Sequence, residues 1–359
     1  SHAGHRKIFA RTGGRGVRAE QCEREDARVT VVIPNYNGMK YLPQCIAALR
    51  RQTERDFSLL VMENGSTDGS AEWLREEGIP TIFSEENLGF AGGVNRAIRE
   101  VRTPYVLLLN NDTEVFPDFV RALEESISRH ERIFSVSAMM IRTQNHDEID
   151  DAGDLVSLPG WAFQRGTMEP CAAYEKEAEV FSACGGAAIY RTDLYRALGG
   201  LDESYFAYLE DIDLGWRAKL AGYRNLYCPA AKVYHFGSAT SGSKYNAFKV
   251  RLSARNHIFT MVKNQPLWQL IWNLPFLLGG IAVKAAFFAK KGLLSDYLRG
   301  LTEGLTALPA REKTDFSKIP TSRMLAIEWE LVLGTAAYVR HYVSRGTKKE
   351  AGKSASNPV

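Results

Sequence analysis

Short apolar runs alternate with polar segments over the first third of the chain. Each run is rich in branched or aromatic side chains and too short for a helix, which is typical of a buried parallel strand. Segments with helical spacing lie between the runs, near residues 41–51 and 70–77 and before Val101. This alternation predicts an α/β fold with a mostly parallel sheet flanked by helices. The four runs are residues 29–33, 57–62, 79–83 and 105–109.

Clusters of polar residues follow these runs. Ligands of parallel sheets bind beyond the carboxyl ends of the strands, so we expect the clusters to meet at one edge and form one site. The last cluster, Asn110-Asn111-Asp112, begins directly after an apolar run. The clusters occupy residues 35–38, 63–64, 87–95 and 110–112.

The second part of the chain, residues 134–250, has a less regular pattern. Residues 182–190 combine glycines with a strand-like end, and residues 228–235 are typical of a further strand. Residues 209–220 have helical spacing, and Gly222 follows where a helix commonly ends in the left-handed conformation. We therefore expect two more strands and one well-defined helix in this part.

A strongly apolar stretch covers residues 267–289 and is interrupted by Asn273, Pro275 and Lys284. Its length would permit a membrane-spanning helix, which needs about 20 apolar residues. The interruptions favour either a packed pair of helices or a helix that lies on a membrane surface. Lys290 and Lys291 follow directly and are placed to meet anionic headgroups, so residues 267–291 are the predicted peripheral membrane contact.

Composition and charge exclude several classes of protein. The net charge of +3, with 45% hydrophobic and 24% charged residues, indicates a folded protein without a nucleic-acid partner. The five cysteines form no C-x-x-C pair, which argues against zinc and disulfide frameworks and favours a reduced, cytoplasmic setting. The first residues lack the apolar core of a signal peptide. Basic, disordered tails are predicted at residues 1–27 and 343–359.

Two positions are candidates for a metal site. Asp112 follows a buried strand, and its carboxylate could bind a hard divalent ion such as Mg²⁺ or Mn²⁺. The alternative is an Asx-rich turn that only closes the strand. His235 ends a later apolar strand, where an imidazole either packs in the core or completes a metal site.

Glu210, Asp211 and Asp213 open the helix that is predicted over residues 209–220. Acidic residues in a first turn stabilise a helix through its dipole, which is the simplest interpretation. The alternative is a general base, because a carboxylate within hydrogen-bond reach of a hydroxyl group can accept its proton as it attacks. The sequence leaves both interpretations open.

Other nucleotide-binding classes lack their signatures here. No G-x-G-x-x-G follows the first strand, and no G-x-x-x-x-G-K-[ST] occurs, which argues against dehydrogenases and P-loop enzymes. Taken in order, five segments resemble those of family 2 glycosyltransferases of the GT-A fold, and the resemblance covers residues 28–260. Within that family the chain is most similar to rhamnosyltransferases of bacterial surface polysaccharide assembly. The segments are VVIPNYNG at 31–38, ENGSTDGS at 63–70, NLGFAGGVN at 87–95, LLNNDTE at 108–114 and EDIDLGWR at 210–217.

The resemblance implies a nucleotide-sugar site with two departures from the family pattern. Glu63 stands where relatives have an aspartate that contacts the pyrimidine, and Asn110 replaces the first acid of the D-x-D motif. Asp112 would then be the main carboxylate ligand of the metal, with His235 as a further ligand. The implied nucleotide-sugar residues are Pro34, Tyr36, Asn37, Glu63, Asn87, Gly89, Asn95, Asn110, Asn111 and Asp112.

The resemblance also implies an inverting transfer from a dTDP- or UDP-sugar to a hydroxyl group of a glycan or lipid-linked glycan. Asp211 would act as the base, with Glu210 beside it. The acceptor side would contain Gly185 and Gly186, and Trp216 and Arg217 would fix the helix or reach the substrate.

The implied reaction would take place in the cytoplasm, at the inner face of the plasma membrane. Two alternatives remain: a carbohydrate-binding or scaffold protein on a degenerate transferase fold, and a sugar-phosphate nucleotidyltransferase, whose Gly-rich signature is absent after the first strand. A processive membrane synthase is disfavoured because Q-x-x-R-W is absent. The expected organisation is a catalytic domain at 28–260, divided into nucleotide-sugar (28–130) and acceptor (131–260) halves, and a helical, partly apolar extension at 261–342.

Overall fold

The parallel half of the central sheet contains β1 (Val29–Asn35), β2 (Phe57–Asn64), β3 (Thr81–Ser84) and β4 (Tyr105–Leu109). The computed structural model describes residues 27–237, 245–308 and 314–355, with side chains to residue 342. β1 pairs with β2 and β4, and β2 pairs with β3, all in parallel. β1, β2 and β4 form where the apolar runs predicted them, because most of their side chains are buried, whereas the edge strand β3 is half-buried.

The other half of the sheet is mixed. Its strand β11 lies antiparallel to both β4 and β6, while β12 runs parallel to β6. The mostly parallel sheet predicted from the apolar runs is confirmed for β1 to β4. The other half is mixed, because β11 follows a long irregular segment instead of a helical crossover. A separate hairpin is formed by β8 and β9. The strands are β5 (Thr113–Val115), β6 (Ile133–Arg142), β7 (Ile149–Asp151), β8 (Asp154–Val156), β9 (Ala162–Gln164), β10 (Ala178–Val180), β11 (Ala187–Arg191) and β12 (Arg224–His235).

Six helices flank the sheet and bury their apolar sides on its two faces. One hydrophobic cluster joins Leu42 and Phe119 to the sheet, and another joins Val94 and Leu214 to it. The helix that carries Glu210 and Asp211 ends just before Gly222, whose φ of 93° confirms the predicted left-handed position. The helices are α1 (Leu42–Leu49), α2 (Ser70–Glu76), α3 (Gly89–Glu100), α4 (Phe119–Ser128), α5 (Thr192–Ala197) and α6 (Glu210–Leu220).

A helical region follows the sheet. It contains α7 (Ala247–Asn264), α8 (Leu267–Lys290), α9 (Leu294–Ala307) and α10 (Thr321–Ala355). One sheet runs through both halves predicted for the catalytic domain, so the boundaries at residues 130 and 260 stay predictions. The disordered tail predicted from residue 343 differs from the structure, where α10 continues to Ala355; Lys, Glu and Ala in this segment favour helix. The tail predicted at 1–27 lies outside the described residues, except residue 27.

The apolar stretch forms one continuous helix, so the predicted pair of packed helices is wrong. α8 continues through Pro275, and it contacts neighbouring helices on both sides of the proline. Asn273 donates to Glu328 of α10, and Phe288 packs against Tyr297 of α9. Among the described residues, α8 is the one helix whose length and mean hydropathy of 1.6 would allow it to cross a membrane.

Candidate functional site

Asn35 joins three loops at the carboxyl edge of the parallel strands. Its Oδ1 accepts a hydrogen bond of 2.7 Å from Nδ2 of Asn111, and its Nδ2 donates to Oε2 of Glu63 over 2.6 Å. These residues end β1, follow β4 and lie near the end of β2, respectively. The structure therefore brings three of the predicted polar clusters together at one edge.

Glu63 lies beneath this edge and is 1% exposed. Its Oε1 accepts a hydrogen bond from the backbone N–H of Ser66, and its Oε2 accepts from Asn35 and Ser70. A buried carboxylate needs such donors, and they occupy both of its oxygens. The expectation that Glu63 contacts the base is corrected: the carboxylate holds the loops in place from below.

Tyr36 and Asn37 lie on the outer side of the same edge, after the half-buried Pro34. Asn37 has a φ of 51°, and its Oδ1 accepts the backbone N–H of Thr67, which joins the first loop to the second. The side chain of Tyr36 remains exposed. A ring presented at the rim of a strand edge is available for stacking against a flat ligand.

The loop before α3 needs a glycine at position 89. Asn87 Oδ1 accepts the backbone N–H of Gly89, whose φ is +74°. A Cβ at this position would lie 2.5 Å from the carbonyl oxygen of Phe206. Asn64 Nδ2 donates to both Asn87 Oδ1 and the Gly89 carbonyl, so this loop is fixed to the end of β2.

Asn95 does not face this edge. Its Oδ1 accepts the hydroxyl group of Tyr195, and its Nδ2 donates to the carbonyl of Leu201. The expectation that Asn95 lines the nucleotide-sugar site is therefore corrected: its amide satisfies buried groups near α5, one turn and a half along α3 from Gly89.

Trp216 and Arg217 are structural in this fold. Trp216 is 1% exposed and packs edge-to-face against Phe181. Arg217 donates to Asp213 and to the backbone carbonyls of Leu198 and Gly200. These contacts hold α6 in place, which was one of the two expected roles for Trp216 and Arg217. The other role, on the acceptor side, is corrected, because the indole is buried and the guanidinium group already donates to three partners.

Gly185 and Gly186 connect the two acidic motifs. The N–H of Gly185 donates to Oδ2 of Asp211 over 3.1 Å, and the carbonyl of Gly186 accepts the N–H of Asn110 over 2.8 Å. A Cβ on Gly186 would lie 3.0 Å from Nδ2 of Asn110, a tight contact that would force the Asn110 side chain to shift by a few tenths of an ångström. Two consecutive residues thus place the Asp211 carboxylate beside the end of β4.

Asp112 and His235 face each other across the end of the sheet. β12 pairs with β5, and this pairing brings the imidazole Nε2 to 3.5 Å from Asp112 Oδ1. On its other side, His235 Nδ1 lies 2.7 Å from Asp150 Oδ2. Burial lowers the pKa of His235, but hydrogen bonds to Asp112 and Asp150 outweigh it and raise the pKa to about 10.

Asp112 and His235 offer two ligand types that divalent metals accept. A Mg²⁺ ion keeps its ligands at about 2.1 Å, which separates two adjacent ligand atoms by about 3 Å. Asp112 Oδ1 and His235 Nε2 are 3.5 Å apart, so the two side chains would have to approach each other by about half an ångström to hold one ion. Asp150 holds Nδ1, which leaves Nε2 as the ligand atom, an arrangement typical of metal-binding histidines.

The two acids at the start of α6 differ in exposure. Asp211 is half-buried, and its oxygens accept the N–H groups of Gly185 and Ile212. Burial raises the pKa of Asp211. Glu210 is buried, its Oε2 has no partner among the described residues, and burial followed by the neighbouring Asp211 raises its pKa well above the usual range. Asp211 is therefore the more exposed of the two acids.

A strained turn presents α6 to the site. Phe206, Tyr208 and Leu209 all have positive φ, between 64° and 72°, which is unusual for residues with large side chains. The side-chain amide of Asn256 on α7 donates to the carbonyls of Tyr205, Ala207 and Tyr208 and holds the turn. Sequence analysis missed Asn256, because a lone asparagine within a helix carries no local signal.

An acidic segment, residues 150–154, was also missed by sequence analysis. β7 directs Asp150 to His235, while Asp151 and Asp154 are buried within 4.8 Å of Cys184 Sγ. Burial raises the pKa of Asp151 to about 7 and that of Asp154 well above its usual range. The sequence Asp-Asp-Ala-Gly-Asp, three acids within five residues beside a glycine, was the available signal.

Comparison with known proteins connects this geometry to a family. Residues 30–199 match the family described as Glycosyl transferase family 2. The chain is 27% identical over 303 residues to the N-acetylglucosaminyl-diphospho-decaprenol L-rhamnosyltransferase of Mycobacterium tuberculosis, a match that covers 76% of this chain and 96% of the relative. It is 23% identical to a low-salt glycan biosynthesis hexosyltransferase of Haloferax volcanii over 73% of this chain and 86% of that protein.

The solved structures support the same fold. The crystal structure of GalNAc-T7 with UDP, GalNAc and Mn²⁺ superposes with a TM-score of 0.55 at 14% sequence identity, over 67% of this chain and 48% of that one. This likeness extends over the fold and not over the sequence. The GT-A fold expected from the five motifs is therefore confirmed.

Proposed function

We propose that this chain, a glycosyltransferase whose residues 30–199 form a family 2 domain, moves a sugar from a nucleotide diphosphate to a hydroxyl group of a glycan or lipid-linked glycan. The observation that carries this proposal is the link through Gly185 and Gly186, which joins the Asp211 carboxylate to the loop of Asp112. A base and a site for a diphosphate then border one space, as direct displacement at an anomeric carbon requires.

The donor side is formed by the outer loops of the parallel strands. Tyr36 and Asn37 offer a ring and an amide at the rim, and the loop of Asn87 and Gly89 closes the space from the α3 side. We assign the nucleoside of a dTDP- or UDP-sugar to this rim. The name of the Mycobacterium tuberculosis relative supports an L-rhamnosyl donor.

A divalent metal, Mg²⁺ or Mn²⁺, is assigned to Asp112 and His235. When bound there, the ion would supply positive charge to the leaving diphosphate. Asp112 would contribute a carboxylate oxygen and His235 would contribute Nε2, because Asp150 holds Nδ1 and keeps the imidazole oriented with Nε2 towards Asp112. Asn110 cannot supply a second charge, so the site relies on the histidine where relatives have an additional acid.

Asp211 is assigned as the general base. Two backbone N–H groups fix the orientation of its carboxylate, while its half-buried position keeps one side open to an acceptor hydroxyl group. The attack from the side opposite to the diphosphate inverts the anomeric configuration. Burial, followed by the neighbouring Asp211, raises the pKa of Glu210, and we assign the base to Asp211 because it is the more exposed of the two acids.

A test of this function combines donor binding and product stereochemistry. Thermal unfolding is measured with dTDP-rhamnose, UDP-glucose, UDP-N-acetylglucosamine and GDP-mannose, each with and without Mn²⁺. A donor at about 100 times its Kd stabilises the protein by about 2.7 kcal/mol. Product anomers from the best donor are then assigned by NMR. Retention of configuration, or stabilisation by none of the donors, would contradict the proposal.

Slow hydrolysis of the donor separates an enzyme from a carbohydrate-binding protein on the same fold. A transferase with a water-accessible base releases nucleoside diphosphate in the presence of metal, whereas a binder or scaffold does not. A nucleotidyltransferase would instead release pyrophosphate when it is given a nucleoside triphosphate and a sugar phosphate. The two products are distinguished by ion chromatography in one experiment.

A further inference from the structure

The amphipathic helix α8 buries polar side chains and exposes apolar ones, the reverse of the usual arrangement in a water-soluble protein. Its polar Gln269 and Asn273 are buried, whereas its apolar Ile271 and Trp272 are 64% and 71% exposed. In a water-soluble helix the apolar side faces the core and the polar side faces solvent. An exposed apolar surface of this kind marks a contact with another molecule or with a membrane.

The buried polar side of α8 is paired with α10. Gln269 and Asn273 both donate to Oε2 of Glu328, over 2.8 and 3.0 Å. Glu328 is thereby turned towards the protein, and the neighbouring outward positions of α10 are apolar. Leu325, Trp329 and Leu333, at successive intervals of four residues, are all more than half exposed and form a stripe along this helix.

Trp272 is adjacent in sequence to Asn273, and Trp329 is adjacent to Glu328, so each stripe lies next to one partner of the Asn273–Glu328 hydrogen bond. We call them together the α8–α10 face, represented by Ile271, Trp272 and Leu278 of α8 and by Leu325, Trp329 and Leu333 of α10.

α8 is attached to the rest of the molecule along its length and is therefore not free to span a bilayer. A Cβ on Gly280 would lie 2.6 Å from Pro159, so the helix approaches the loop after β8 closely. Leu270 and Leu277 pack on a cluster that contains Trp216. A spanning helix would have to leave these contacts and expose buried Gln269 and Asn273 to lipid, which is costly.

Charge selects a membrane over a second copy of the chain. Residues 267–295 contain no acidic residue, while Lys290 and Lys291 are exposed at the end of α8. In a symmetric dimer the lysines would need acidic partners in the same surface of the second copy, and residues 267–295 offer none. An anionic bilayer instead attracts the lysines and accepts the apolar stripes.

We propose that the α8–α10 face lies flat in the headgroup region of an anionic bilayer and anchors the protein without crossing it. The base helix α6 is then held one layer of side chains from the lipid, because its Ile212 and Trp216 pack in the same cluster as Ile327 and Leu331 of α10. Resting on the proposed function, this position selects an acceptor whose sugar is attached to a membrane lipid.

The surface is tested by co-sedimentation of the purified chain with vesicles of phosphatidylcholine alone or with phosphatidylglycerol. We expect binding to the anionic vesicles and a weaker signal on the neutral ones. Trp272→Glu should lower the partition coefficient about tenfold or more, because an indole leaves the lipid and a charge replaces it. Ser128→Glu adds the same charge on an exposed position of α4 and should bind as the unmodified chain does.

Several outcomes would overturn the proposal: no sedimentation with anionic vesicles, equal binding by Trp272→Glu, or a dimer that Trp272→Glu dissolves while vesicles have no effect. Thermal unfolding of both variants without lipid shows that they are folded. Metal-dependent donor hydrolysis is measured in parallel, because it does not depend on the membrane. If Trp272→Glu loses vesicle binding and keeps donor hydrolysis, the membrane surface is separate from the active site. If the unmodified chain binds vesicles and does not hydrolyse the donor, only the proposed function is contradicted.

Discussion

The carboxyl edge of the sheet and the α8–α10 face place their polar groups in opposite ways. At the edge, Asn35 and Glu63 are buried in a network whose donors and acceptors are paired, and this network fixes the loops that surround the site. On α8 the polar Gln269 and Asn273 are also buried, but they leave an apolar surface outside. In the first region, buried polar groups hold the loops of the site in a fixed geometry. In the second, the polar side of α8 faces the protein, so its apolar side faces outward.

The largest expected effect lies at the edge. Asp211→Asn should lower turnover by about 10²–10⁴-fold, the usual contribution of a general base, with donor affinity unchanged. Single-turnover transfer and donor binding by calorimetry measure the two quantities separately. Asp193→Asn, an exposed acid on α5, is the matched control and should retain activity. Full turnover by Asp211→Asn would remove this carboxylate from the mechanism.

Two tryptophans compare the regions directly. Trp216→Ala should lower the free energy of unfolding by about 3–5 kcal/mol, because it leaves a cavity beside Phe181. Trp272→Ala should change it by about 0.5 kcal/mol or less, because its indole is 71% exposed. Urea unfolding without lipid measures both. A large loss for Trp272→Ala would mean that the α8–α10 face is covered by protein in solution, and the contrast between the regions would fail.

Asp150 tests whether a second carboxylate positions the metal ligand. Asp150→Ala should weaken metal affinity or activity by about 10–100-fold, because His235 loses the partner of its Nδ1. Asp150→Asn keeps a hydrogen-bond acceptor and should recover part of the loss. Transfer rates titrated with Mn²⁺ give the metal affinity of each variant. If Asp150→Ala changes the maximal rate and leaves the metal titration unaltered, the positioning role is wrong.

A change with pH is expected at His257, which is buried on α7. Its Nε2 lies 2.9 Å from the carbonyl of Pro159, and burial, followed by the charge of Lys284, lowers its pKa to about 3. The unfolded chain binds a proton at this position below about pH 6.5 and the folded chain does not, so stability falls as the pH falls. At pH 5 the loss is about 2 kcal/mol.

His257→Gln retains a donor for the Pro159 carbonyl and cannot be protonated. Its unfolding free energy should therefore fall less between pH 7.5 and pH 5 than that of the unmodified chain, in urea titrations at both pH values. An equal fall in the two proteins would assign the acid sensitivity to other groups.

The sequence predicted those features in which the role of a residue follows from its place on a strand or helix. The apolar runs predicted the parallel strands, and the polar residues after them predicted the edge that Asn35, Glu63 and Asn111 share. The same signals could not reveal that Glu63 faces inward or that Asn95 serves Tyr195 and Leu201, since both facts depend on partners far along the chain.

The amino-acid sequence by itself determined the order of the elements, the loops that border the site and the acids that open α6, because periodicity and turn residues are local properties. Only the tertiary structure decided which groups meet. The pairing of β12 with β5 brought His235 to Asp112, and Gly185 with Gly186 brought Asp211 to the end of β4. The exposure of Trp272 also depends on the packing of α8. Hydropathy could not predict it, because an apolar side chain has the same hydropathy whether it faces the protein core or the outside.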